Sequence, residues 1–214
     1  MIQPCQADSP VAVRFGSGFF LRSGLVALLS LSFIYPVHSA RTTGTVKLLA
    51  IRVNFNDVKG GPSLKTVEQR LNSARNQFSA FSFGRLNLAC TVTKVLALPK
   101  NRSSYNGLGL ARAAEGKAKN AGYNTGSYSV IGFYYSGGSV GAHASVGGKR
   151  YWAPGNGGST MHEMGHVFGF PHQNYWNPSA QNPVGAGKLE KDEFSFMTSA
   201  GIHPEPYEKW RCKW

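Results

Sequence analysis

The chain has 214 residues, with 23 lysines and arginines against 10 aspartates and glutamates, so its formal net charge is +13. The basic residues are scattered, without a run of five or a recognisable nucleic-acid motif, which argues against nucleic acid as the target. Aspartate occurs only at positions 8, 57 and 192, which argues against a set of calcium sites.

The N-terminal segment has the features of a secretory signal peptide. A positively charged stretch (residues 1–22) precedes a largely apolar one (residues 25–35), and small residues allow cleavage after Ser39 or Ala40. The alternative is a buried helix or a membrane anchor, but the apolar stretch is well short of the about 20 residues that span a bilayer. We expect residues 1–40 to be removed and residues 41–214 to form one secreted or periplasmic domain.

Periodicity along residues 41–214 predicts one α/β unit. Residues 45–55, 86–98 and 128–135 are predicted strands, and residues 108–121 are a predicted alanine-rich helix that stops at Gly122. A further helix with one buried stripe is predicted where apolar residues recur at three- and four-residue steps: Leu64, Val67, Leu71, Ala74, Phe78 and Phe81.

Two later segments carry turn-forming residues. Residues 139–152 are rich in glycine and are predicted to contain an edge strand, in which His143 is expected to be a surface or core residue rather than part of a site. Residues 174–187 are rich in asparagine, proline and glycine and are predicted to form a loop. No repeat, heptad or second domain is indicated.

Residues 162–172 carry the pattern H-E-x-x-H-x-x-G-x-x-H. On a helix, His162 and His166 project from one face, one turn apart, as two nitrogen ligands. Gly169 can adopt the positive φ that ends the helix and turns His172 back toward the same point. Three neutral imidazoles with one open position are the ligand set of a catalytic zinc ion rather than of a structural one.

Glu163 is the predicted general base. It lies about 100° round the helix from His162, close to a metal-bound water but poorly placed to chelate. Zinc lowers the pKa of bound water to about 7, and proton transfer through Glu163 would support peptide-bond hydrolysis. The alternative is structural, because Thr160 and Glu163 fit a T-x-x-E capping box.

The pattern resembles the extended zinc motif of the metzincin metallopeptidases. These enzymes have a methionine-containing Met-turn beneath the metal, and Met197 is the candidate here, about 25 residues after His172. The alternative is a core methionine that fills a gap. The chain is most similar to the gametolysin-like and immune-inhibitor-A-like peptidases, through Ser-Phe-Gly-Arg-Leu at residues 82–86, Val-Gly-Gly at residues 146–148 and a stretch at residues 206–210.

The resemblance implies an α/β (α+β) zincin domain with a twisted mixed sheet, an antiparallel edge strand, an active-site helix and a Met-turn. Residues 141–146 are the candidate edge strand that would pair with an extended substrate. Several metzincins place a tyrosine two residues after the Met-turn methionine, but this chain has Ser199 there. The group that stabilises the transition state is therefore unassigned, with Tyr207 and a backbone amide as alternatives.

Two cysteines, Cys90 and Cys212, remain in residues 41–214. An even count in an oxidising compartment predicts a disulfide between them. The alternative is one buried and one exposed thiol.

We therefore expect a secreted, monomeric zinc endopeptidase with one catalytic zinc ion held by His162, His166 and His172, and with Glu163 as general base. Residues 41–214 keep 21 lysines and arginines against 9 aspartates and glutamates, a charge of +12 that favours anionic cell-envelope surfaces as partners besides a protein or peptide substrate. No nucleic acid and no stable membrane span are expected. The alternatives are a zinc amidase or peptidase acting on cell-wall peptides, and a catalytically inactive secreted binding protein.

Overall fold

The structure, a computed structural model, describes residues 41–137, 140–179, 182–191, 195–198 and 203–214. The predicted signal peptide, its cleavage site and Ser199 lie outside these residues. Within the described ranges, every helix is too short or too polar to cross a membrane.

A five-stranded mixed sheet forms the centre of the fold. Its strands are β1 (Gly44–Asn54), β2 (Leu86–Ala97), β3 (Val130–Tyr135), β4 (His143–Ala144) and β5 (Arg150–Pro154). The order across the sheet is β2-β1-β3-β5-β4, with parallel pairing except between β4 and β5, which are antiparallel. The predicted mixed sheet with an antiparallel edge strand is confirmed, and so are the three predicted strands that form β1, β2 and β3.

The described residues form four α-helices beside the sheet: α1 (Leu64–Phe81), α2 (Gly107–Asn120), α3 (Thr160–Val167) and α4 (Pro206–Arg211). Helix α1 begins where the Ser63 hydroxyl accepts a hydrogen bond from the Thr66 amide. The predicted apolar stripe of α1 is buried except for its first member, Leu64, which is 45% exposed. Helix α2 lies where it was predicted, and Gly122 follows it with a φ of 91°.

The sheet is covered on both faces, so the fold has two apolar layers. Alternate residues of β1 and β3 enter different layers: Leu48 and Tyr134 pack with α1 and α3, while Leu49 and Phe133 pack with α2. Residues 48–51 are fully buried. A parallel strand covered on both faces is expected to have such a continuous apolar sequence.

The loop predicted over residues 174–187 is wrong. Strands β6 (Asn174–Ser179) and β7 (Asn182–Lys191) pair there as a separate antiparallel two-stranded sheet. Proline and glycine lower strand propensity, but a hairpin satisfies its backbone groups locally and tolerates them. The strand-favouring Tyr175 and Trp176 in β6 are opposite Glu190 and Leu189 in β7.

The edge strand is shorter than the predicted range of residues 141–146. Strand β4 contains only His143 and Ala144. A turn ends it at once, because the Gly148 amide donates to the Ser145 carbonyl oxygen at 2.8 Å and Gly147 has a φ of 69°. This turn directs the chain into β5.

Candidate metal centre

A buried hydroxyl network attaches the start of α3 to the sheet. The Thr160 hydroxyl donates to the Gly157 carbonyl oxygen at 2.7 Å, so the Tyr134 hydroxyl at 3.0 Å donates to Thr160. The Tyr151 hydroxyl lies 2.9 Å from that of Tyr134 and completes the chain of hydrogen bonds. Because all three side chains are buried, the network fixes the position of the first turn of α3.

The capping-box alternative for Glu163 is excluded by these contacts. A capping box requires the Thr160 side chain to accept from the Glu163 amide, but that amide donates to the Ser159 carbonyl oxygen at 3.0 Å. Thr160 is already inside the helix. The Glu163 carboxylate is therefore not part of a capping box.

The end of α3 is a Schellman turn at Gly169. The Gly169 amide donates to the His166 carbonyl oxygen at 2.9 Å, and the Phe170 amide donates to that of Gly165 at 3.0 Å. Gly169 has a φ of 103°, which L residues rarely adopt. The expected role of Gly169, to end the helix and redirect the chain toward His172, is confirmed.

The turn brings the three predicted histidines together. The candidate ligand atoms of His162, His166 and His172 all lie within 4.8 Å of one another. The Nε2 atoms of His162 and His172 are 3.0 Å apart. Tetrahedral zinc with Zn–N bonds of about 2.0–2.1 Å separates its nitrogen ligands by about 3.3 Å. The donor set could therefore hold a metal ion, and the His162–His172 pair is close to the spacing that zinc requires.

Burial favours the neutral, ligating form of His162 and His166. Burial and the neighbouring His166 and His172 lower the pKa of His162 to about 4, and burial also lowers the pKa of His166. The His166 Nδ1 atom lies 2.8 Å from the Phe170 carbonyl oxygen. Since only a protonated nitrogen can donate to that oxygen, Nε2 of His166 remains available as the ligand atom.

Glu163 lies beside the three histidines on α3 and is only 4% exposed. Its buried Oε2 atom has no hydrogen-bond partner among the described residues. Burial raises the pKa of this carboxyl group to about 7. A buried carboxylate oxygen without a partner is costly for folding, which makes Glu163 a candidate site residue.

A tight turn packs beneath α3. The Thr198 amide donates to the Ser195 carbonyl oxygen at 3.0 Å, and the Met197 amide donates to the Ser195 hydroxyl at 3.2 Å. A Cβ atom on Gly165 would lie 2.6 Å from the Met197 sulfur and 2.7 Å from a Phe196 ring carbon. Met197 is thus a core residue, and its side chain packs against Gly165 of α3.

Two other predicted candidates are exposed side chains. His143 is exposed on β4 and stacks on Trp152, with ring centroids 4.1 Å apart and an interplanar angle of 6°. It is not part of the histidine cluster, which confirms the expectation of a surface residue. Tyr207 on α4 is 61% exposed and stacks on Trp210.

The disulfide predicted between Cys90 and Cys212 is not formed in the structure, where both are free thiols. Cys212 is buried and its Sγ atom donates to the Phe168 carbonyl oxygen at 3.5 Å, and burial raises the pKa of this thiol to about 12. Cys90 is half-buried on β2 beside Arg75 of α1, and burial raises its pKa too. Each thiol therefore has its own separate environment.

Sequence reasoning missed the tyrosines that surround the site. Tyr134 and Tyr151 belong to the network at the start of α3. Tyr135 is buried, donates to the Val140 carbonyl oxygen at 2.9 Å, and has a pKa raised by burial and by the nearby Glu163 carboxylate. The sequence did contain one signal, since an otherwise apolar predicted strand ends in Tyr134 and Tyr135. Buried tyrosine hydroxyls require hydrogen-bond partners, so a hydroxyl network was to be expected there.

No protein-family model matches this chain, and comparison with curated proteins finds no match either.

Proposed function

We propose that this protein is a secreted, zinc-dependent endopeptidase of the metzincin type. The observation that carries the proposal is the convergence of His162, His166 and His172, whose candidate ligand atoms lie within 4.8 Å of one another. Glu163 lies on the same short helix with a buried Oε2 atom that has no partner among the described residues. This combination of three neutral nitrogen donors and one adjacent carboxylate matches a catalytic rather than a structural zinc site.

The roles of the residues follow from their positions. When bound, zinc would lower the pKa of a water molecule and polarise a substrate carbonyl. His162, His166 and His172 would hold the ion, and the hydrogen bond from His166 Nδ1 to Phe170 orients that ring. Glu163 would accept the proton of the attacking water at a carboxylate oxygen and later donate it to the leaving amine.

The edge of the sheet supports an extended substrate. Strand β4 is the last strand in the order, and no strand of the described residues pairs with its outer edge. The turn that follows β4 contacts α3 directly, because the Gly147 amide donates to the His166 carbonyl oxygen at 2.8 Å. A peptide that paired with β4 as an additional strand would run beside the histidine cluster. This pairing does not require a terminus of the peptide, which favours endopeptidase over exopeptidase action.

The metzincin assignment depends on three features that agree. The eleven-residue pattern is one, and the mixed sheet with an antiparallel edge strand is the second. The third is the Met197 turn packed against Gly165 at the underside of α3. In a metzincin this turn lies beneath the metal, so Met197 is the proposed Met-turn methionine.

The experiment that tests the function combines metal analysis with digestion. The purified protein is analysed for zinc by mass spectrometry and incubated with a mixed protein substrate, with and without a chelator, beside a parallel digest of peptidoglycan. The proposal predicts one zinc ion per chain and protein cleavage that the chelator abolishes and added zinc restores. Absence of zinc overturns the metal centre, and zinc with cleavage of peptidoglycan alone overturns the endopeptidase assignment.

A further inference from the structure

Three exposed aromatic side chains and four cations cluster on one part of the surface. The aromatic side chains are Phe83, Tyr207 and Trp210, with exposed fractions of 74%, 61% and 72%. We call this cluster the aromatic–basic surface and define it by the following residues: Phe83, Arg85, Tyr207, Lys209, Trp210, Arg211 and Lys213.

Direct contacts join the two segments that form this surface. The Lys209 Nζ atom lies over the Phe83 ring, 4.8 Å from its centroid, and so connects α4 with the turn between α1 and β2. The Arg85 guanidinium donates to the Lys213 carbonyl oxygen at 2.9 Å and connects the same two segments again. The cluster is therefore a single surface rather than two separate sets of exposed side chains.

The backbone holds the aromatic rings outward. Phe83 has a φ of 52°, a left-handed conformation that is uncommon for a bulky residue. On α4, the Tyr207 and Trp210 rings stack with centroids 5.9 Å apart and an interplanar angle of 26°. A capping box between Glu205 and Glu208 fixes the first turn of this helix. The rings thus project from ordered backbone segments.

The charge that this surface presents to solvent is positive. Arg85, Arg211 and Lys213 are exposed, and Lys209 is half-buried. The nearest acidic residue on α4, Glu208, is only 1% exposed, and its carboxylate accepts from Gln173 and from the Glu205 amide. The carboxylates at the start of α4 are therefore engaged in the helix cap.

A cavity beside this surface adds a place for an anion. It has a volume of about 410 Å³, and its lining includes Arg41, Arg211 and Lys213 together with the hydroxyl-bearing Thr42 and Thr43. Among the described residues, no acidic side chain lines this cavity. Arg211 and Lys213 belong to both the cavity and the aromatic–basic surface, so the two are continuous.

We propose that the aromatic–basic surface docks on an anionic lipid bilayer, with the adjoining cavity receiving a lipid phosphate group. Tryptophan, tyrosine and phenylalanine partition into the interfacial layer of a membrane, and nearby lysines and arginines are attracted to its anionic headgroups. A surface that carries both aromatic rings and cations is therefore complementary to the interfacial layer and to the anionic headgroups. The aromatic–basic surface contains none of the proposed zinc ligands, and this inference does not depend on the proposed peptidase activity.

The observations favour a lipid surface over an acidic polysaccharide. A sugar ring binds aromatic side chains by stacking on an uncovered ring face. Here the Lys209 ammonium group lies over the face of Phe83, and the Arg211 guanidinium lies over Tyr207 at 5.9 Å. Cations at these positions place positive charge directly beside the aromatic rings. A membrane interface, where anionic headgroups adjoin acyl chains, can contact both.

The test measures partitioning of the full chain onto vesicles by sedimentation. Vesicles of phosphatidylcholine alone are compared with vesicles that also contain phosphatidylglycerol. Two double variants remove the surface: Phe83→Ser with Trp210→Ser, and Lys209→Gln with Arg211→Gln. The control is Leu108→Ser, because Leu108 is 62% exposed on α2 and lies outside the surface. The N-terminal apolar segment is the same in all proteins, so differences between them report the surface.

We expect preferential binding to the anionic vesicles and a loss on the order of tenfold or more for each double variant, with the control unchanged. Trp210→Phe gives a local readout, since the wild-type spectrum minus that of this variant isolates the fluorescence of Trp210. That difference spectrum should shift to the blue with anionic vesicles only. Equal partitioning of all variants, an unshifted Trp210 spectrum, or binding to a soluble acidic polysaccharide without binding to vesicles would overturn the proposal.

Discussion

The imidazole of His166 and the backbone carbonyl of Phe170 are joined by a hydrogen bond of 2.8 Å across the turn that ends α3. The bond leaves the Nε2 atom of His166 as the available ligand atom and makes its orientation dependent on the conformation of the turn. Gly169 lies within this turn, with a φ of 103°. The geometry of the candidate metal centre is thus tied to Gly169, a residue that is not itself a candidate ligand.

Replacing Gly169 with alanine should weaken zinc binding. No atom lies within 4 Å of the added Cβ, so the cost comes from the backbone, at about 1–2 kcal/mol for an L residue with positive φ. A disturbed turn misplaces both His166 and His172, and we expect a 10- to 100-fold loss of zinc affinity, typical of changes to the groups that orient a ligand. Competition with a chromogenic chelator measures the zinc affinity of the variant.

Gly122→Ala is the matched control, because Gly122 also has a positive φ and open space around its Cβ position but lies after α2. It should lose similar stability and keep its zinc affinity. Equal zinc affinity in both variants would contradict the role of the turn.

His172 is expected to be the ligand supplied from outside α3. His172→Ala removes one of three nitrogen donors, so the purified protein should retain little zinc after dialysis, as measured by mass spectrometry. His143→Ala changes an exposed histidine that stacks on Trp152, and it should keep a full complement of zinc. Retention of zinc by the His172 variant would remove this residue from the ligand set.

The sequence predicted those parts of the fold that depend on local periodicity. The three- and four-residue steps in α1 correspond to its buried face, because burial follows the geometry of the helix, whereas β1 is buried on both faces at residues 48–51. The candidate site was predictable because it is local in the chain. The spacing of His162, His166 and Gly169 determines how the side chains and the turn are arranged within about three helical turns.

Other features did not follow from composition or residue counts. The β6–β7 hairpin forms despite a composition typical of loops, and the length of β4 is set by a turn at Gly147 and Gly148. The environments of Cys90 and Cys212 depend on which elements cover them, and an even cysteine count contains no such information. The contact of Gly165 with Met197 likewise joins segments that are distant in the chain.

The packing of Gly165 on the Met197 turn predicts sensitivity to one added methyl group. Gly165→Ala would place a Cβ atom 2.6 Å from the Met197 sulfur and 2.7 Å from the Phe196 ring. Overpacking of this kind costs about 1–3 kcal/mol of unfolding free energy. Urea unfolding monitored by circular dichroism measures the change.

Gly116→Ala provides the control within another helix. Nothing lies within 4 Å of the Cβ position of Gly116 on α2, and alanine has the higher helix propensity, so this variant should be as stable as the wild type or more stable. If Gly165→Ala were equally well tolerated, the turn would not be packed against α3 as described.

The buried hydroxyl network at the start of α3 predicts that removal of one hydroxyl oxygen lowers the stability of the fold. Tyr134→Phe leaves the hydroxyl groups of Tyr151 and Thr160 without their shared partner in a fully buried position. The expected loss is about 1–3 kcal/mol of unfolding free energy. Tyr207→Phe on the exposed face of α4 should change stability by less than about 0.5 kcal/mol. A loss no larger than that of the control would show that the network contributes nothing to stability.

The proposed chemistry is tested most directly by comparing the proteolytic rates of the wild type, Glu163→Gln and Glu68→Gln, each loaded with zinc to the same measured content. Glu68 is an exposed residue of α1 and serves as the control for loss of one carboxylate. Removal of the proton acceptor with the ligands intact should lower the rate by about 10²- to 10⁴-fold in Glu163→Gln, while Glu68→Gln keeps the wild-type rate. Undiminished cleavage by zinc-loaded Glu163→Gln would contradict the assignment of Glu163 as general base and with it the proposed mechanism.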